Sequence, residues 1–361
     1  MTRMIFRAML AGSLLLACCA PARAQTDRIK VYSEKNSVQG TVESITRNEI
    51  VVSVPMAGAR TISSGDIELI LFAGDNALQK AQLAATKGEF KDAADLLEGI
   101  RPTELNREMV RAEVAYWKAY CAAKIALSGQ SESDDSGEQK DPAAAAKQAG
   151  SEMLAFLKDH PTTYHYYEAN EIVGDLLMAI GQYENAQKFY DKLSESPSAD
   201  VKARADLLRG RAMQMEGKYD AALAAYDSVL KSDVSGKRGD QELIEAKIGR
   251  TYSLASSGKV DEAVKLLKNI VANADDDDTE LLARTYDALG NCYRQLKDNK
   301  QALWAYLRVD TLYGSVPEAH AEALANLVVL WEDAKHPERA RDARDRLQQR
   351  YPFSRWNKQI R

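Results

Sequence analysis

One six-residue phrase recurs through this chain and sets the scale of whatever it folds into. Gly88-Glu89-Phe90-Lys91-Asp92-Ala93 returns as Gly181-Gln182-Tyr183-Glu184-Asn185-Ala186, as Gly217-Lys218-Tyr219-Asp220-Ala221-Ala222, and as Gly258-Lys259-Val260-Asp261-Glu262-Ala263. Weaker copies end at Ala302 and Ala340, and from Ala186 onward the closing alanines lie 36, 41, 39 and 38 residues apart. A unit of that length cannot enclose a core alone, so the copies must stack and bury their apolar faces against one another.

Other positions keep step with each alanine. Four residues beyond it stand Leu97, Tyr190, Tyr226, Leu267 and Tyr306, and seven beyond it Ile100, Leu193, Val229, Ile270, Val309 and Leu347. Both offsets fall on one helical face. Twelve residues before it come Ala81, Gly174, Gly210, Thr251 and Gly290, and twelve beyond Ala340 is Pro352. With Leu289-Gly290, Tyr293 and Ala302 as the sharpest copy, this pattern resembles the tetratricopeptide family. The resemblance implies helical hairpins in which a small residue lets two helices approach, stacked as a right-handed α-solenoid. The 93-residue gap between Ala93 and Ala186 hides one more unit, anchored at Ala149 with Met153, Phe156 and Pro161 in step. Its surplus lies in the Ser-, Asp- and Glu-rich stretch 128–141, an expected loop insertion. Seven hairpins are expected between 75 and 352, followed by a tail at 353–361. Arg344, where the pattern wants an apolar residue, suits the uncovered face of a last repeat.

The N-terminal part has another texture. Short β-branched runs between Ile29 and Phe72, separated by turns such as Thr46-Arg47-Asn48 and Ala57-Gly58-Ala59, predict about five strands. Residues 27–73 resemble a small SH3-like or Sm-like barrel, expected to cap the open end of the helical array. Only Tyr32 and Phe72 could serve a proline-peptide groove, which wants several aromatics. Before it, Arg3 and Arg7 precede an apolar run from Ala8 to Ala20, and Ala22-Arg23-Ala24 offers a peptidase site. Residues 1–24 read as a signal peptide, so the mature chain is expected to be exported, periplasmic or secreted. The apolar run falls short of the roughly 20 residues a bilayer span needs. A rival site, Leu15-Leu16-Ala17-Cys18, resembles a lipobox and would make Cys18 an acylated terminus tethered to the outer membrane.

The composition excludes several partners. With 48 basic against 53 acidic residues and no basic run, there is no footprint for nucleic acid or an anionic membrane. Cys121 and Cys292, four units apart in a stack, cannot approach to disulfide distance and are expected to be buried thiols. No phosphate loop, nucleophile elbow, His-Glu-x-x-His or Cys-x-x-Cys occurs, so neither enzyme, metal nor cofactor is expected. His160 and His165 flank Pro161 beside Tyr164, Tyr166 and Tyr167, a cluster expected to pack between repeats with its hydroxyls at the surface. Asp275 to Asp278 lacks calcium-loop spacing and is expected to favour a helix N-terminus. Trp117, Trp304 and Trp331 are expected in the core.

The chain is therefore expected to hold a protein partner. If the resemblance holds, the residue after each small packing position faces the concave groove: Gln82, Asp175, Arg211, Tyr252 and Asn291, with Gln214 and Arg294 one turn on. Tyr252 is the expected apolar anchor. Capture of a peptide carboxylate, as chaperone-type members of the family perform it, is not expected, since Asn291 alone fits that pattern. A cell-wall glycan accessory protein or hydrolase is the competing class, with Glu171 and Asp175, at i and i+4 on one helix, as its acid pair.

Overall fold

The computed structural model describes residues 26–74, 76–128, 141–234, 236–352 and 354–360 of the 361. The expected signal peptide at 1–24 with Cys18, and residues 129–140 of the expected acidic loop, lie outside the described residues.

Five strands come first: β1 (Asp27–Val31), β2 (Val38–Ile45), β3 (Glu49–Val54), β4 (Gly58–Ser63) and β5 (Ile67–Leu71). They form one antiparallel sheet in the order β4-β3-β2-β1-β5, with bulges at Lys30/Val31 and Val42/Ser44. The first strands alternate buried and exposed side chains, so Ile29, Val31, Val38, Val42, Ile50 and Val52 share one inner face. The expected closed barrel is not what forms: β4 and β5 are the two edges and do not pair, leaving an open sheet. β4 buries only Ile62 and has little apolar surface to wrap inward. Helices seal the apolar face instead, since the sheet residues share a continuous core with Leu78, Ala81, Val114 and Trp117.

The helices follow as seven hairpins: α1 (Asn76–Thr86) with α2 (Phe90–Glu98), α3 (Glu108–Ser128) with α4 (Pro142–Asp159), α5 (Tyr166–Ala179) with α6 (Tyr183–Leu193), α7 (Ala199–Met215) with α8 (Tyr219–Lys231), α9 (Gly236–Ser256) with α10 (Val260–Asn273), α11 (Thr279–Gln295) with α12 (Asn299–Leu312), and α13 (Pro317–Asp333) with α14 (Pro337–Arg350). A short α15 (Trp356–Gln359) follows. First helices touch one another, α3 with α5, α7 with α9, α9 with α11 and α11 with α13, and so make an inner layer with the second helices outside it.

The repeated phrase has a physical reason at each place. Its glycine turns the chain from first to second helix with positive φ at Gly88, Gly181, Gly217 and Gly258. In the two weaker copies Lys297 and Lys335 hold the same turn at φ 59° and 63°. Its alanine is buried in every copy, and so are Ala149, Met153 and Phe156 of the hidden unit. The seam between the helices is a small-to-large lock. Where the first helix has Gly174, Gly210 or Gly290, a methyl group there would fall within 3 Å of the Tyr190, Tyr226 or Tyr306 ring. Where it has Ala81 or Thr251, the second helix has Leu97 or Leu267.

Asp278 caps α11 by accepting from the Leu281 amide at 3.3 Å. At the far end Trp356 lies half-buried, its indole N–H donating to Glu318 at 3.3 Å, so the tail is stapled across α13. Trp117 and Trp331 are in the core, but Trp304 is 58% exposed. It sits two residues past the anchor Ala302, about 200° around the helix, and so faces outward. Cys121 and Cys292 are buried and unpaired.

Candidate functional site

The expected groove residues are organised by the same seam. Each glycine-facing tyrosine threads its ring between the two helices and delivers its hydroxyl to the inner layer. Tyr190 donates to Asp175 Oδ1 at 2.8 Å, Tyr226 to Gln214 Oε1 at 3.1 Å, and Tyr306 to Asn291 Oδ1 at 2.7 Å. Burial pushes all three phenols up, so they remain donors across the physiological range. Three polar side chains on the first helices α5, α7 and α11 are thereby held by the outer layer, although the sequence signal for this was only an alternation of glycine and tyrosine.

The seven residues are not brought into one cluster. Asp175 lines a cleft near the N-terminal end of the inner layer, and Arg211 bonds Glu245 at its edge. Gln214 also accepts from Ser253 of α9. Tyr252 stands 52% exposed on α9 beyond the cleft. Asn291 and Arg294 turn sideways to α13, Asn291 donating to Glu322 at 2.9 Å and Arg294 donating to Asn326. Gln82 does not face a groove. It is fully buried because the sheet covers α1, and its amide donates to the Ile70 carbonyl and to Glu113, both at 3.0 Å.

The cleft that holds Asp175 has a volume of about 1500 Å³. The end of β1, the turn at 64–66 and the start of β5 form one wall, and residues of α5, α7 and α9 form the other. The sheet is fixed there by contacts far apart in sequence. Arg47 lies 3.9 Å over the Tyr166 ring and donates to the Pro161 carbonyl at 2.5 Å, while Tyr167 donates to Asn48 at 2.7 Å. Asp27, almost fully buried, accepts both guanidinium arms of Arg107, at 2.7 and 2.9 Å, and the amides of Val42 and Ala73. Burial alone would raise the Asp27 carboxyl, but these bonds and the Arg107 charge hold it below its ordinary value. The tyrosines expected to pack between repeats therefore dock the sheet, and Tyr164 is buried with its hydroxyl on Glu113 at 3.0 Å.

Behind that wall His165 is buried between two carboxylates, Nε2 at 3.2 Å from Glu113 and Nδ1 at 3.4 Å from Glu168, and is stacked on Tyr116. Burial pushes its imidazole down, yet Glu113 and Glu168 outweigh that and hold it above its usual value. Further along, Arg204 of α7 reaches Glu171 of α5 at 2.8 Å and Glu245 of α9 at 3.6 Å, tying three units together. Sequence reasoning missed Arg204, Glu245 and the sheet residues Asp66 and Glu68, because nothing local says which face of α7 and α9 the sheet overhangs. The described residues include no helix long and apolar enough to cross a membrane.

No protein-family model matches the chain, and no curated protein sequence does. Among solved structures it is similar to a tetratricopeptide repeat protein from Parabacteroides merdae, at 16% identity and a TM-score of 0.55 over 79% of this chain and 97% of that one. It is also similar to the apo form of RapI, at 13% identity and a TM-score of 0.50 over 79% of each chain. These likenesses are of fold. Together with the period, the glycine turns and the small-to-large seams, they place the helical part of this chain among tetratricopeptide-like solenoids, preceded by an open five-stranded sheet.

Proposed function

We propose that this chain is an extracytoplasmic, non-catalytic scaffold that holds a segment of a protein partner in the cleft between its N-terminal sheet and the inner layer of its solenoid. The observation that carries this reading is the cleft itself. At about 1500 Å³ it exceeds the roughly 300–1,000 Å³ typical of small-molecule pockets. Its walls come from both the sheet and several successive first helices, as suits an extended macromolecular ligand. Catalysis on glycan is the weaker reading, because Glu171 is bonded to Arg204 and Asp175 to Tyr190, so both carboxyls are already engaged.

Export rests on residues 1–24, whose basic head, apolar run and Ala22-Arg23-Ala24 fit a cleaved signal peptide. Tethering through Cys18 is the second reading, carried by Leu15-Leu16-Ala17-Cys18. N-terminal sequencing of the mature protein separates them: Gln25 first means a free protein, and a blocked, palmitate-labelled Cys18 means a lipoprotein. The open sheet, with β1 paired to both β2 and β5, is read as a small module that has become a wall of the binding site.

The test is photo-crosslinking in the native cell from a reactive residue at Gln241, inside the cleft, and at Tyr252, further along α9. One dominant protein adduct, absent when the probe sits on the outer face at Lys265, is the expected result. Equal labelling from all three positions would remove the cleft as a partner site.

A further inference from the structure

The lining of the cleft narrows the kind of segment it can take, an inference that rests on the binding reading above. Ten of the lining side chains are carboxylic acids and four are lysine or arginine. Lys30 is engaged by Glu68 at 2.6 Å, and Arg204 is shared between Glu171 and Glu245. Lys124 lies over the Tyr120 ring, 5.2 Å from its centroid. The acids stand on both walls, with Asp66 and Glu68 on the sheet and Glu171, Asp175 and Glu245 on the helices. Two facing walls, each with more carboxylates than lysine and arginine side chains, focus a negative potential in the cleft between them.

Several occupants fit this poorly. A phosphate backbone is repelled by such walls, and a lipid or drug-sized ligand wants a mainly apolar lining. Among the described residues no three His, Cys, Asp or Glu side chains converge as metal ligands. The acids are distributed over both walls and do not gather around one point. An extended polypeptide sends alternate side chains to opposite sides, which matches a slot with acids on both faces.

We infer that the cleft binds an extended cationic segment of a partner protein, whose lysine and arginine side chains reach alternately to the acids of the sheet wall and to those of α5, α7 and α9.

The test uses the purified protein and two fluorescein-labelled twelve-residue peptides, four repeats of Lys-Gly-Ser and four of Glu-Gly-Ser, read by anisotropy at 50 and 300 mM NaCl. The lysine peptide is expected to bind, more weakly at high salt, and the glutamate peptide not to bind. One carboxylate is then neutralised on each wall by Asp66→Asn with Asp175→Asn. Both changes are isosteric: one oxygen stays for the Tyr190 hydroxyl, and one stays for the Ser33 backbone amide, while the Ser33 hydroxyl, which now also donates to Asp66, can rotate to accept. This variant should lose roughly fivefold to tenfold in affinity, while Asp261→Asn with Glu262→Gln on the exposed start of α10 should lose less than twofold. No binding of the lysine peptide, equal binding of the two peptides, or an equal loss in the α10 control overturns the inference. The adduct from Gln241 separates this failure from that of the broader reading: a crosslinked segment without lysine or arginine overturns the cationic occupant and leaves partner binding intact.

Discussion

The lock between Gly174 and Tyr190 can be tested by exchanging it for the pair that hairpin 1 already uses. A methyl group at position 174 would fall 2.7 Å from Tyr190 Cδ1 and 2.8 Å from Cζ, and nearer still to Cε1. The ring cannot swing away, because its hydroxyl is held by Asp175 and its faces are buried. Overpacking of this kind costs about 1–3 kcal/mol, and alanine returns about 1 kcal/mol of helix propensity over glycine. Gly174→Ala should therefore destabilise by about 2 kcal/mol at the upper end of that range. Tyr190→Leu alone loses buried ring volume and the phenol bond, together about 2–3 kcal/mol. In the double variant the new methyl group occupies space the ring has left, as Ala81 and Leu97 do in hairpin 1. Its cost should be only about 1–2 kcal/mol, a coupling of roughly 2–4 kcal/mol between the two sites. Urea unfolding followed by circular dichroism, compared at constant m, measures all four corners of the cycle. Costs that add to within about 0.5 kcal/mol would refute the lock.

Other consequences follow from the same geometry. Lys297→Gly and Lys335→Gly should each stabilise by about 0.5–1 kcal/mol, since a non-glycine left-handed residue costs about 1–2 kcal/mol and glycine's extra chain entropy cancels part of it; a rise in Tm checks this. Arg107→Ala leaves the buried Asp27 carboxylate without its cation, which should cost about 3 kcal/mol and show as faster amide exchange in 27–71. Because the folded state lowers the Asp27 pKa, its contribution is present above the unfolded value near 3.9 and is lost as pH falls through the folded one. The sheet of the wild type should thus loosen selectively in acid. Trp304→Ala, on an outward face, should change stability by no more than about 0.5 kcal/mol.

The sequence is informative where contacts are short-range in the chain. The anchors Ala93 to Ala340, the hairpin turns and the hidden unit at Ala149 follow from one period, because each seam joins residues 16 apart, such as Gly174 and Tyr190. The site depends on contacts of another kind. Arg47 meets Pro161 across 114 residues and Tyr167 meets Asn48 across 119, and no local pattern announces such pairings. Gln82 illustrates the consequence, since its place in the repeat is a groove position and only the overlying sheet buries it. Asn291 and Arg294 show a milder case, in which the next unit, through Glu322 and Asn326, takes up side chains that the repeat alone would leave facing the groove.

Asp175 joins the architecture to the chemistry, and its two roles pull in opposite directions. Burial first, and then Glu171 one turn away, push its carboxyl up to about 6, against the Tyr190 hydroxyl and the more distant Arg204 and Lys124 charges, which pull it down. A carboxyl raised by folding contributes stability that is complete below the unfolded value near 3.9 and lost as pH rises through about 6. Its charge therefore works against the fold at neutral pH. Asp175→Asn, which cannot ionise, should be more stable than the wild type at pH 8 by roughly 1–3 kcal/mol, and the two should converge near pH 4. A bound cation would draw the pKa back down, so wild-type affinity for the lysine peptide should rise as pH passes 6 while that of Asp175→Asn stays nearly flat. Thermal unfolding of both proteins from pH 4 to 8 reads the first effect, and anisotropy over the same range the second. A variant less stable than the wild type at pH 8 would mean that Arg204 or Lys124 already satisfies the Asp175 charge, and the cleft would lose the residue that most asks for a cation.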